Sequence, residues 1–379
     1  MRYLRRIGLL AVNYTLRGSD NPKLPSRGGN IARIVGGEAL REVMRRIFEA
    51  LGVPREFAEA TADALVFANL RCVDSHGVSR GLNYVEGIKL GEINPRPSIR
   101  VSRETDISVL LDGDGGLGPP IACELAVRVT EKASRVGVAV GAAKNLRDVG
   151  ALGYYVSKVV SSGYIGVAVA NAKARVSIPG VASPIVGTNP VAVGIPSRRR
   201  TILLDMALSV VPYGRILSYA SRGEEIPEGW ALNKLGRPTR SPKEAAEGYL
   251  LPIGGYKGLA LAMMVDLLAG PVIGGPTSLE ISGSGPYTQG GLMILAIDPA
   301  IFRDPEEIEK DIERYAETIK SLPRDPAAEI VIPGEKASRC FEERSSKGIP
   351  LDDVTFSRLV KVAEELGVDV SELWAASST

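Results

Sequence analysis

The pattern of apolar and polar positions predicts helices at both ends of the chain. Between residues 40 and 51, apolar side chains recur every three or four positions, which is typical of an amphipathic helix. Gly52 and Pro54 separate this helix from a second one that runs to about Leu70. Charged helical segments are predicted again at 305–322, 336–347 and 353–366.

The middle of the chain alternates between short apolar runs and helical patterns. Strands are predicted at 107–112, 138–142, 164–171, 191–196, 201–206 and 291–297, and helices at 121–135, 151–162 and 256–270. This alternation indicates an α/β fold. We therefore predict an α/β domain, residues 107–290, inserted in a mainly helical domain formed by residues 34–106 and 291–379.

Residues 1–33 are basic and poor in acidic side chains, and they precede the first regular pattern. Their apolar stretch is too short for a signal peptide and no cleavage-like site follows it. We expect a disordered extension, or a start codon placed too early. A targeting peptide is the less favoured interpretation.

Composition and charge exclude several classes of function. A net charge of +2 gives little attraction for nucleic acid, and we find no apolar run long enough to cross a bilayer. The three cysteines, Cys72, Cys123 and Cys340, are far apart and odd in number. We therefore expect no disulfide framework, no metal site and a reducing cytoplasm. Scarce glutamine and abundant arginine are typical of a thermophile.

The segment around the single histidine, His76, has the residue types of a proton-transfer site. Imidazole titrates at roughly pH 6.5, so it can gain and lose a proton near neutrality. We predict that Asp74 or Ser75 caps a helix whose first turn holds His76, where free N–H groups favour anions. Arg80, one turn on, adds a cation that could hold a carboxylate. The residues alone leave open that His76 is a structural histidine and that Arg80 is a solvated side chain.

Nine short motifs follow one another along the chain. They are Ala68–Arg80 (A-x-L-R-x-x-D-S-H-G-x-x-R), Tyr84-Val85, Gly91–Pro97, Asp112–Gly118, Gly187–Pro190, Leu204–Ser209, Ile226–Trp230, Gly254–Gly258 and Pro333–Glu335. In this order they resemble the malate/L-lactate dehydrogenase family, which also contains sulfolactate, ureidoglycolate and diketogulonate oxidoreductases. The resemblance begins near Ile34 and continues toward the C-terminus.

The resemblance implies an enzyme that transfers a hydride between NAD or NADP and a 2-hydroxy acid or its 2-oxo acid, of the malate, lactate or sulfolactate type. It implies that His76 carries the proton with help from Ser75, and that Arg80 holds the substrate carboxylate. Arg71 and Arg147 are further candidates for substrate binding. It also implies a non-Rossmann nucleotide domain and a homodimer, with a small-molecule substrate and without nucleic acid or membrane as a partner.

The same matching implies a set of cofactor-binding residues. Asp205 could accept from ribose hydroxyls or the carboxamide, Ser209 could donate to phosphate, and Lys257 could approach a pyrophosphate from a glycine-flanked turn. The full set is Asn171, Thr188, Asn189, Asp205, Met206, Ala207, Ser209, Tyr256, Lys257, Gly334 and Glu335. The residues alone do not decide between NAD and NADP, for which Lys144 and Arg175 are only hints.

One glycine-rich segment allows a different interpretation. Gly113–Gly118 matches G-x-G-x-x-G between a predicted strand and a predicted helix, as in a Rossmann fingerprint. However, Lys144 and Arg147 stand where an acidic residue would hold a ribose, and Asp114 would repel a phosphate. We favour a non-Rossmann nucleotide site and keep a Rossmann-type ketoreductase as an alternative.

The chain departs from the family at residues 145–150. Many members carry a second histidine in an N-S-x-H-F-G segment, whereas this chain reads N-L-R-D-V-G and has Asp148 in its place. Asp148 could still orient or relay a proton, and we include it among the catalytic candidates. The same difference is compatible with a catalytically silent protein that binds a nucleotide or a 2-oxo acid. Leu208 and Arg215 also replace residues common in the family, which leaves the substrate open.

Overall fold

The computed structural model describes residues 33–197, 202–282 and 290–375. The helices are α1 (Gly37–Ala50), α2 (Arg55–Leu70), α3 (Val78–Lys89), α4 (Gly118–Val136), α5 (Leu152–Ser161), α6 (Tyr213–Arg222), α7 (Pro242–Glu247), α8 (Tyr256–Ala269), α9 (Pro305–Ser321), α10 (Glu335–Lys347), α11 (Asp353–Glu365) and α12 (Glu372–Ala375). The strands are β1 (Arg33–Val35), β2 (Arg100–Glu104), β3 (Ser108–Gly116), β4 (Val138–Leu146), β5 (Ile165–Ala170), β6 (Val191–Ile195), β7 (Ile202–Met206), β8 (Ala231–Leu232), β9 (Pro238–Thr239), β10 (Tyr249–Leu250), β11 (Gly290–Ile297) and β12 (Ile349–Leu351).

A seven-stranded mixed sheet with the order β2-β3-β4-β11-β5-β6-β7 gives the protein its α/β class. Among the described strands of this sheet, only β3 and β4 are a parallel pair, and the other neighbours are antiparallel. A Rossmann fold instead needs a mostly parallel sheet wound in both directions. The alternative of a Rossmann-type ketoreductase is therefore wrong.

The glycines of Gly113–Gly118 serve packing in this turn. A side chain at Gly118 would overlap the backbone oxygen of Asp148, and one at Gly116 would overlap the ring of Pro97. Asp114, with φ 51°, accepts hydrogen bonds from Asn94 Nδ2 and from the backbone N–H of Ser98, at 3.1 and 3.0 Å. Close packing and a polar turn thus account for a pattern that resembles a phosphate loop.

Two strands lie outside the segment predicted for the α/β domain. Strand β11 pairs with β4 on one side and β5 on the other, in the middle of the sheet, although we placed residues 291–297 with the second helical segment. Strand β2 pairs with β3 at the sheet edge, although we placed it in the first helical segment. The boundaries at 106 and 290 are corrected accordingly, because the hydrogen-bonded sheet includes both strands.

The N- and C-terminal segments share a hydrophobic core. Buried side chains of α1, α2 and α3 pack with those of β12 and α11, among them Val43, Phe48, Leu82, Ile349 and Leu359. Arg33, predicted to lie in the extension, is in β1 and pairs with Leu351 of β12. This is the packing that a discontinuous helical domain requires, and the division into domains stays a prediction. The prediction for residues 1–32 lies outside the described residues.

A disulfide joins Cys72, just after α2, to Cys340 in α10, with the two Cα atoms 6.0 Å apart. The expectation of no disulfide is wrong. The two cysteines are 268 residues apart, and only the packing of α10 against α2 brings them together. Cys123 is free and buried in α4.

Helix α8 is apolar around its circumference but only partly covered. Its exposed apolar side chains are Leu261, Met263, Met264, Leu267 and Leu268, each between 37% and 54% exposed. The stretch Tyr256–Ile273 is long and apolar enough to cross a membrane by length and composition, although we predicted no such run. Its partial burial against β5 and β11 shows that one side of it belongs to the protein core.

Candidate active site

His76 lies at the end of a short 3₁₀ turn, Asp74–His76, directly before helix α3. The helix begins at Val78, with Gly77 as its N-cap, so the prediction that His76 is in the first turn is wrong by two residues. Asp74 does not cap the helix with its side chain, since its carboxylate accepts from Asn69 and Arg344 instead. The backbone turn itself places the imidazole at the helix entrance.

The electrostatic surroundings of His76 keep its imidazole neutral. Loss of solvation and the nearby charge of Arg80 lower the pKa of His76 to about 4, against a smaller opposing effect of Asp148. Ser75 Oγ lies 3.0 Å from Nδ1 of the ring. The side chain is half-buried, so it is surrounded by protein and still reaches solvent, as expected of a group that lines a cleft. A neutral imidazole in such a place can accept a proton.

Because His76 is the only histidine in the sequence, its titration can be followed without assignment. In protein without a histidine tag, labelled at the imidazole carbons, we expect one NMR titration with a midpoint about 4. Asp148→Asn should lower that midpoint further, because the carboxylate favours the protonated ring. A midpoint at or above the ordinary value of about 6.5 in the wild-type protein would contradict this description of the site.

Arg80, Tyr84 and Asp148 form a charged cluster beside His76. Arg80 Nη1 is 3.9 Å from Asp148 Oδ2, and the Tyr84 hydroxyl donates to Asp148 Oδ1 at 2.5 Å. The backbone N–H of Gly150 donates to the same carboxylate oxygen at 3.0 Å. Burial and the neighbouring carboxylate raise the pKa of Tyr84, so its hydroxyl stays a donor. Asp148 is therefore an ordered anion within electrostatic range of both His76 and Arg80.

Asp205, at the end of β7, stands at the N-terminus of α5. Its Oδ2 accepts from the backbone N–H of Gly153 at 2.8 Å. Desolvation raises the pKa of Asp205, and the Gly153 N–H and the charge of Arg71 oppose this effect. The side chain is nevertheless exposed, so its free carboxylate oxygen can reach solvent. The charges of Asp205 and Asp148 both act on the buried Tyr155, which places the two carboxylates in one region of the molecule.

The remaining arginine candidates differ in position. Arg71, at the end of α2, lies over the ring of Phe67 and is in electrostatic range of Asp205. Arg147 lies beside Gly115 and is influenced by Glu92, whereas the charges that act on His76 are those of Arg80 and Asp148. Arg147 is therefore not among the charged groups that act on the imidazole, and its predicted role in substrate binding is not favoured.

Three of the polar side chains predicted to touch a cofactor are used inside the protein. Asn189 is fully buried and bonds to the backbone of Ala172 and Ala262. Asn171 donates to Asp266 Oδ1 and accepts from the backbone of Gly291, at 2.9 and 2.7 Å. These two asparagines therefore hold loops together, and a direct cofactor contact by their side chains is not favoured.

Ser209 is buried as well, and its hydroxyl donates to the backbone oxygen of Val211 at 2.8 Å. It is thus engaged within the protein rather than offered to a phosphate. The backbone oxygen of Thr188 accepts a hydrogen bond from Leu208 N at 2.7 Å, which joins the two segments. Met206 and Ala207 are half-buried beside Asp205. These hydrogen bonds hold in place the residues that follow Asp205.

Tyr256 and Lys257 begin helix α8 and are both exposed. The two preceding glycines, Gly254 and Gly255, have φ of 56° and 64°, which glycine adopts without strain. Ile253 N donates to Leu208 O at 3.0 Å, so this turn is tied to the segment after Asp205. The first turn of α8 thus offers an ammonium group and free N–H groups to an anion.

The last predicted segment, Pro333–Glu335, joins the edge of the sheet through Leu203 N, which donates to Pro333 O at 3.2 Å. Gly334 has φ 90° and caps α10. Desolvation raises the pKa of Glu335, but the ion pairs with Lys320 and Arg339 and the hydrogen bond from Ile332 N outweigh it, so the pKa lies below the ordinary value. This internal pairing favours a structural role for Glu335. An apolar groove of about 350 Å³ borders the segment and is lined by side chains including Ile195, Ile202, Ile312 and Tyr315.

Three site features were missed by the sequence analysis. Tyr84, quoted only as part of a motif, turns out to hold Asp148. A Cβ added to Gly214, at the start of α6, would lie 3.6 Å from Ser75 Cβ, so α6 packs against the histidine turn. Arg344 of α10 pairs with Asp74. No local pattern marks Gly214 or Arg344, because both contacts depend on long-range packing.

Comparison with known proteins gives a consistent result. Residues 35–360 match the family model described as malate/L-lactate dehydrogenase. A malate/(S)-sulfolactate dehydrogenase of Methanothermus fervidus is 36% identical over 342 residues, covering 89% of this chain and 99% of the relative. The solved sulfolactate dehydrogenase of Methanocaldococcus jannaschii superimposes with a TM-score of 0.84 at 32% identity, covering 90% and 99% of the two chains. Malate dehydrogenase of Pyrococcus horikoshii gives 0.82 at 35% identity, covering 90% of this chain and 99% of that chain.

Proposed function

The chain belongs to the malate/L-lactate dehydrogenase family and is an oxidoreductase that interconverts a 2-hydroxy acid and its 2-oxo acid by hydride transfer; we propose that His76 carries the accompanying proton. The observation that supports this role is the neutral imidazole at the entrance of α3, within electrostatic range of Arg80 and Asp148. The family implies a nicotinamide cofactor, which when bound supplies the hydride acceptor or donor.

In the oxidation direction, Nε2 of neutral His76 takes the proton from the substrate hydroxyl as the hydride leaves C2. In reduction the same nitrogen returns the proton to the carbonyl oxygen. Ser75, near Nδ1, orients the ring. Asp148 favours the imidazolium that forms during oxidation, because its charge raises the pKa of His76. Asp148 thus supplies a countercharge at the position where many family members have a histidine.

Arg80 binds the substrate carboxylate in this proposal. Its guanidinium is mostly buried, with 20% of the side chain exposed, so a carboxylate bound there would be largely desolvated. The bound anion would offset the positive charge that lowers the pKa of His76, and so help the ring to take a proton. Arg71 stands near Asp205 and is the candidate for a second acidic group, as in malate or sulfolactate.

The cofactor is proposed to lie between Asp205 and the first turn of α8. The residues fit a dinucleotide, because the exposed carboxylate of Asp205 can accept from hydroxyl or amide groups, and Lys257 can meet a pyrophosphate. In this proposal, the loops around the cofactor are held in place by internal hydrogen bonds of Asn171, Asn189, Thr188 and Ser209. Either NAD or NADP is compatible with this arrangement.

The cofactor proposal predicts different effects for two single substitutions. Lys257→Ala should weaken NADH or NADPH binding by about 10- to 100-fold, as for the loss of a hydrogen bond to a charged group. Gly115→Ala adds some backbone strain, because the position has φ 68°, but the new side chain would meet only Arg147. The dissociation constant of the cofactor should therefore stay within about twofold of the wild-type value. Fluorescence titration of the reduced cofactor measures both. Unchanged affinity in Lys257→Ala together with lost affinity in Gly115→Ala would contradict the proposed site.

The activity is tested by NADH and NADPH oxidation, followed by absorbance, with a panel of 2-oxo acids. We expect turnover, and higher kcat/KM for substrates that carry a second acidic group than for pyruvate, because Arg71 is a second cationic side chain on this side of the proposed site, near Asp205. Tight cofactor binding without turnover on any substrate would instead support the catalytically silent alternative. The relatives named above are dehydrogenases, which disfavours that alternative.

We also propose a homodimer that covers the apolar face of α8. Isolated exposed apolar residues are ordinary, but five on one helix form a continuous patch that is typical of an interface. Met264→Glu should shift the molar mass measured by light scattering from dimer toward monomer. Val354→Glu on α11, where the side chain is 73% exposed, is the matched control and should leave the mass unchanged. A monomeric wild-type protein would contradict the proposal.

A further inference from the structure

We propose that helix α10 positions residues 69–78, which we call the catalytic turn, through two contacts on one face of the helix. One of these contacts is the Cys72–Cys340 disulfide, and it makes substrate turnover sensitive to thiol reductants. The inference rests on the proposed function, since it concerns the turn that carries His76. Cys340 and Arg344 are four residues apart on α10 and therefore lie on the same face. Both reach the turn, at two different points.

The first tie is ionic. Arg344 donates to both carboxylate oxygens of Asp74, at 2.6 and 3.0 Å, and also to the backbone oxygen of Asn69. The Arg344 side chain is only 12% exposed and the Asp74 side chain is 49% exposed, so the guanidinium is shielded from water while the carboxylate still reaches solvent. Since Asp74 opens the 3₁₀ turn that ends at His76, Arg344 fixes the turn two residues from the imidazole.

A hydrogen-bond network inside the turn connects Asp74 to the start of α3. Asn69 Nδ2 donates to Asp74 Oδ1 at 2.7 Å, and Asn69 Oδ1 accepts from Val78 N at 2.8 Å. Gly77 leaves no room for a side chain, because a Cβ there would overlap the Asn69 amide. The end of α2, the 3₁₀ turn and the start of α3 are therefore one connected unit, to which His76 belongs.

The second tie is covalent and begins at an unusual backbone position. Cys72 has φ 62° and follows the C-cap of α2, where its N–H donates to Asn69 O and the N–H of Val73 donates to Ala68 O. This is the Schellman arrangement, whose left-handed residue is usually glycine. A side chain at this position is strained, and here it forms the disulfide to α10. The turn is thus held by a cysteine at a position where the left-handed backbone conformation favours glycine.

The disulfide is open to chemical attack. Cys72 is exposed, whereas Cys340 is 8% exposed, so an incoming thiolate meets the Cys72 sulfur first. A dithiol reductant, small or protein-borne, forms a mixed disulfide with Cys72, and Cys340 leaves as a thiolate that takes a proton. The second thiol of the reductant then closes its own disulfide and releases Cys72. Two electrons and two protons pass to the protein, and Arg344 becomes the remaining tie.

The experiment compares the full-length protein with the disulfide closed and open. Thiol counting in denaturant defines the states: of the three cysteines, one is free when the bond is closed and three when it is open. We expect reduction to lower kcat/KM for the 2-oxo acid by about three- to tenfold, as for a modest misplacement of a catalytic group. Cofactor affinity should be unchanged, and re-oxidation should restore activity.

Substitutions separate the tie from general loss of structure. Cys340→Ser should show the reduced activity and no response to reductant, and Cys123→Ala should behave as the wild type. Arg344→Gln should lower kcat/KM more than Arg344→Lys, which keeps the charge. Hydrogen exchange at residues 69–80 should be faster in the reduced protein, in Cys340→Ser and in Arg344→Gln.

Equal kcat/KM and equal exchange in the closed and open forms would overturn the proposal, as would a protein that keeps three free thiols after mild oxidation. His76→Gln, assayed in parallel, distinguishes this outcome from a failure of the proposed function. If that variant keeps full activity, the assignment of His76 fails, while the exchange measurement still decides whether the disulfide holds the turn.

Discussion

His76→Gln should lower kcat for reduction of a 2-oxo acid by about 10²–10⁴-fold, the usual contribution of a positioned general acid or base. Glutamine keeps similar size and hydrogen-bonding capacity but cannot carry a proton between water and substrate. The dissociation constant of NADH should change by less than about twofold, because the proposed cofactor residues, Asp205 and Lys257, are on other elements. Stopped-flow or steady-state absorbance measures kcat, and fluorescence measures binding.

Ser75→Ala is the matched control for that substitution. It removes the hydroxyl 3.0 Å from Nδ1 but leaves the imidazole, so it should reduce kcat by much less, on the order of tenfold. A His76→Gln variant within a few-fold of the parent would remove His76 from the mechanism. The same would follow if Ser75→Ala and His76→Gln were equally impaired, because the loss would then reflect the local fold.

Arg80→Gln should raise KM for the 2-oxo acid by about 10²–10³-fold, as expected when a buried charged partner of a carboxylate is lost. The substitution has a second readout that a structural role alone would not produce. Because the Arg80 charge lowers the pKa of His76, its removal should move the midpoint of the histidine NMR titration above the value of about 4. Arg80→Lys should lie between the wild type and Arg80→Gln in both measurements.

Melting temperature is the control for folding in the Arg80 variants, since Arg80 also faces Asp148 at 3.9 Å. Tyr84 and Gly150 continue to hold Asp148 when Arg80 is replaced, so the cluster should remain folded. An unchanged KM in a folded Arg80→Gln protein would show that the substrate carboxylate binds elsewhere, with Arg71 as the next candidate.

Local patterns predicted the regular elements well where periodicity is strong. The helix pattern at residues 40–51 corresponds to α1, and the helix predicted at 256–270 corresponds to α8. The short strands β1, β8, β9, β10 and β12 were missed, because two or three residues carry no recognisable alternation. Their pairing depends on segments that are distant in sequence, such as β1 with β12.

For the proposed site, the sequence placed His76 and Arg80 in one segment but did not predict the geometry inside it. His76 and Arg80 are close in sequence, and the structure keeps them within electrostatic range of each other. The partner of Asp148 could not be foreseen, since Tyr84 is 64 residues away along the chain. Asn189 and Ser209 matched motifs, yet burial directs their side chains into the protein. A sequence motif thus does not show which of its side chains are exposed and which are used inside the protein.

The disulfide also could not be predicted from the sequence. Counting cysteines argued against a bond, because spacing alone gives no reason to pair residues 268 positions apart. Proteins of hyperthermophilic archaea are a known exception to the rarity of intracellular disulfides, and several of the relatives named above are archaeal. The bond therefore does not decide the compartment, which stays a prediction.

The structure of a ternary complex with reduced cofactor and an unreactive 2-oxo acid analogue would show whether His76 carries the proton. We expect His76 Nε2 to lie within about 3.2 Å of the analogue's C2 oxygen, which is the reach of a proton-transfer contact. The nicotinamide C4 should be about 3–3.5 Å from C2 on the other side. An imidazole that is separated from the C2 oxygen by protein would rule out this role of His76, and a nicotinamide bound away from Asp205 would rule out the proposed cofactor site.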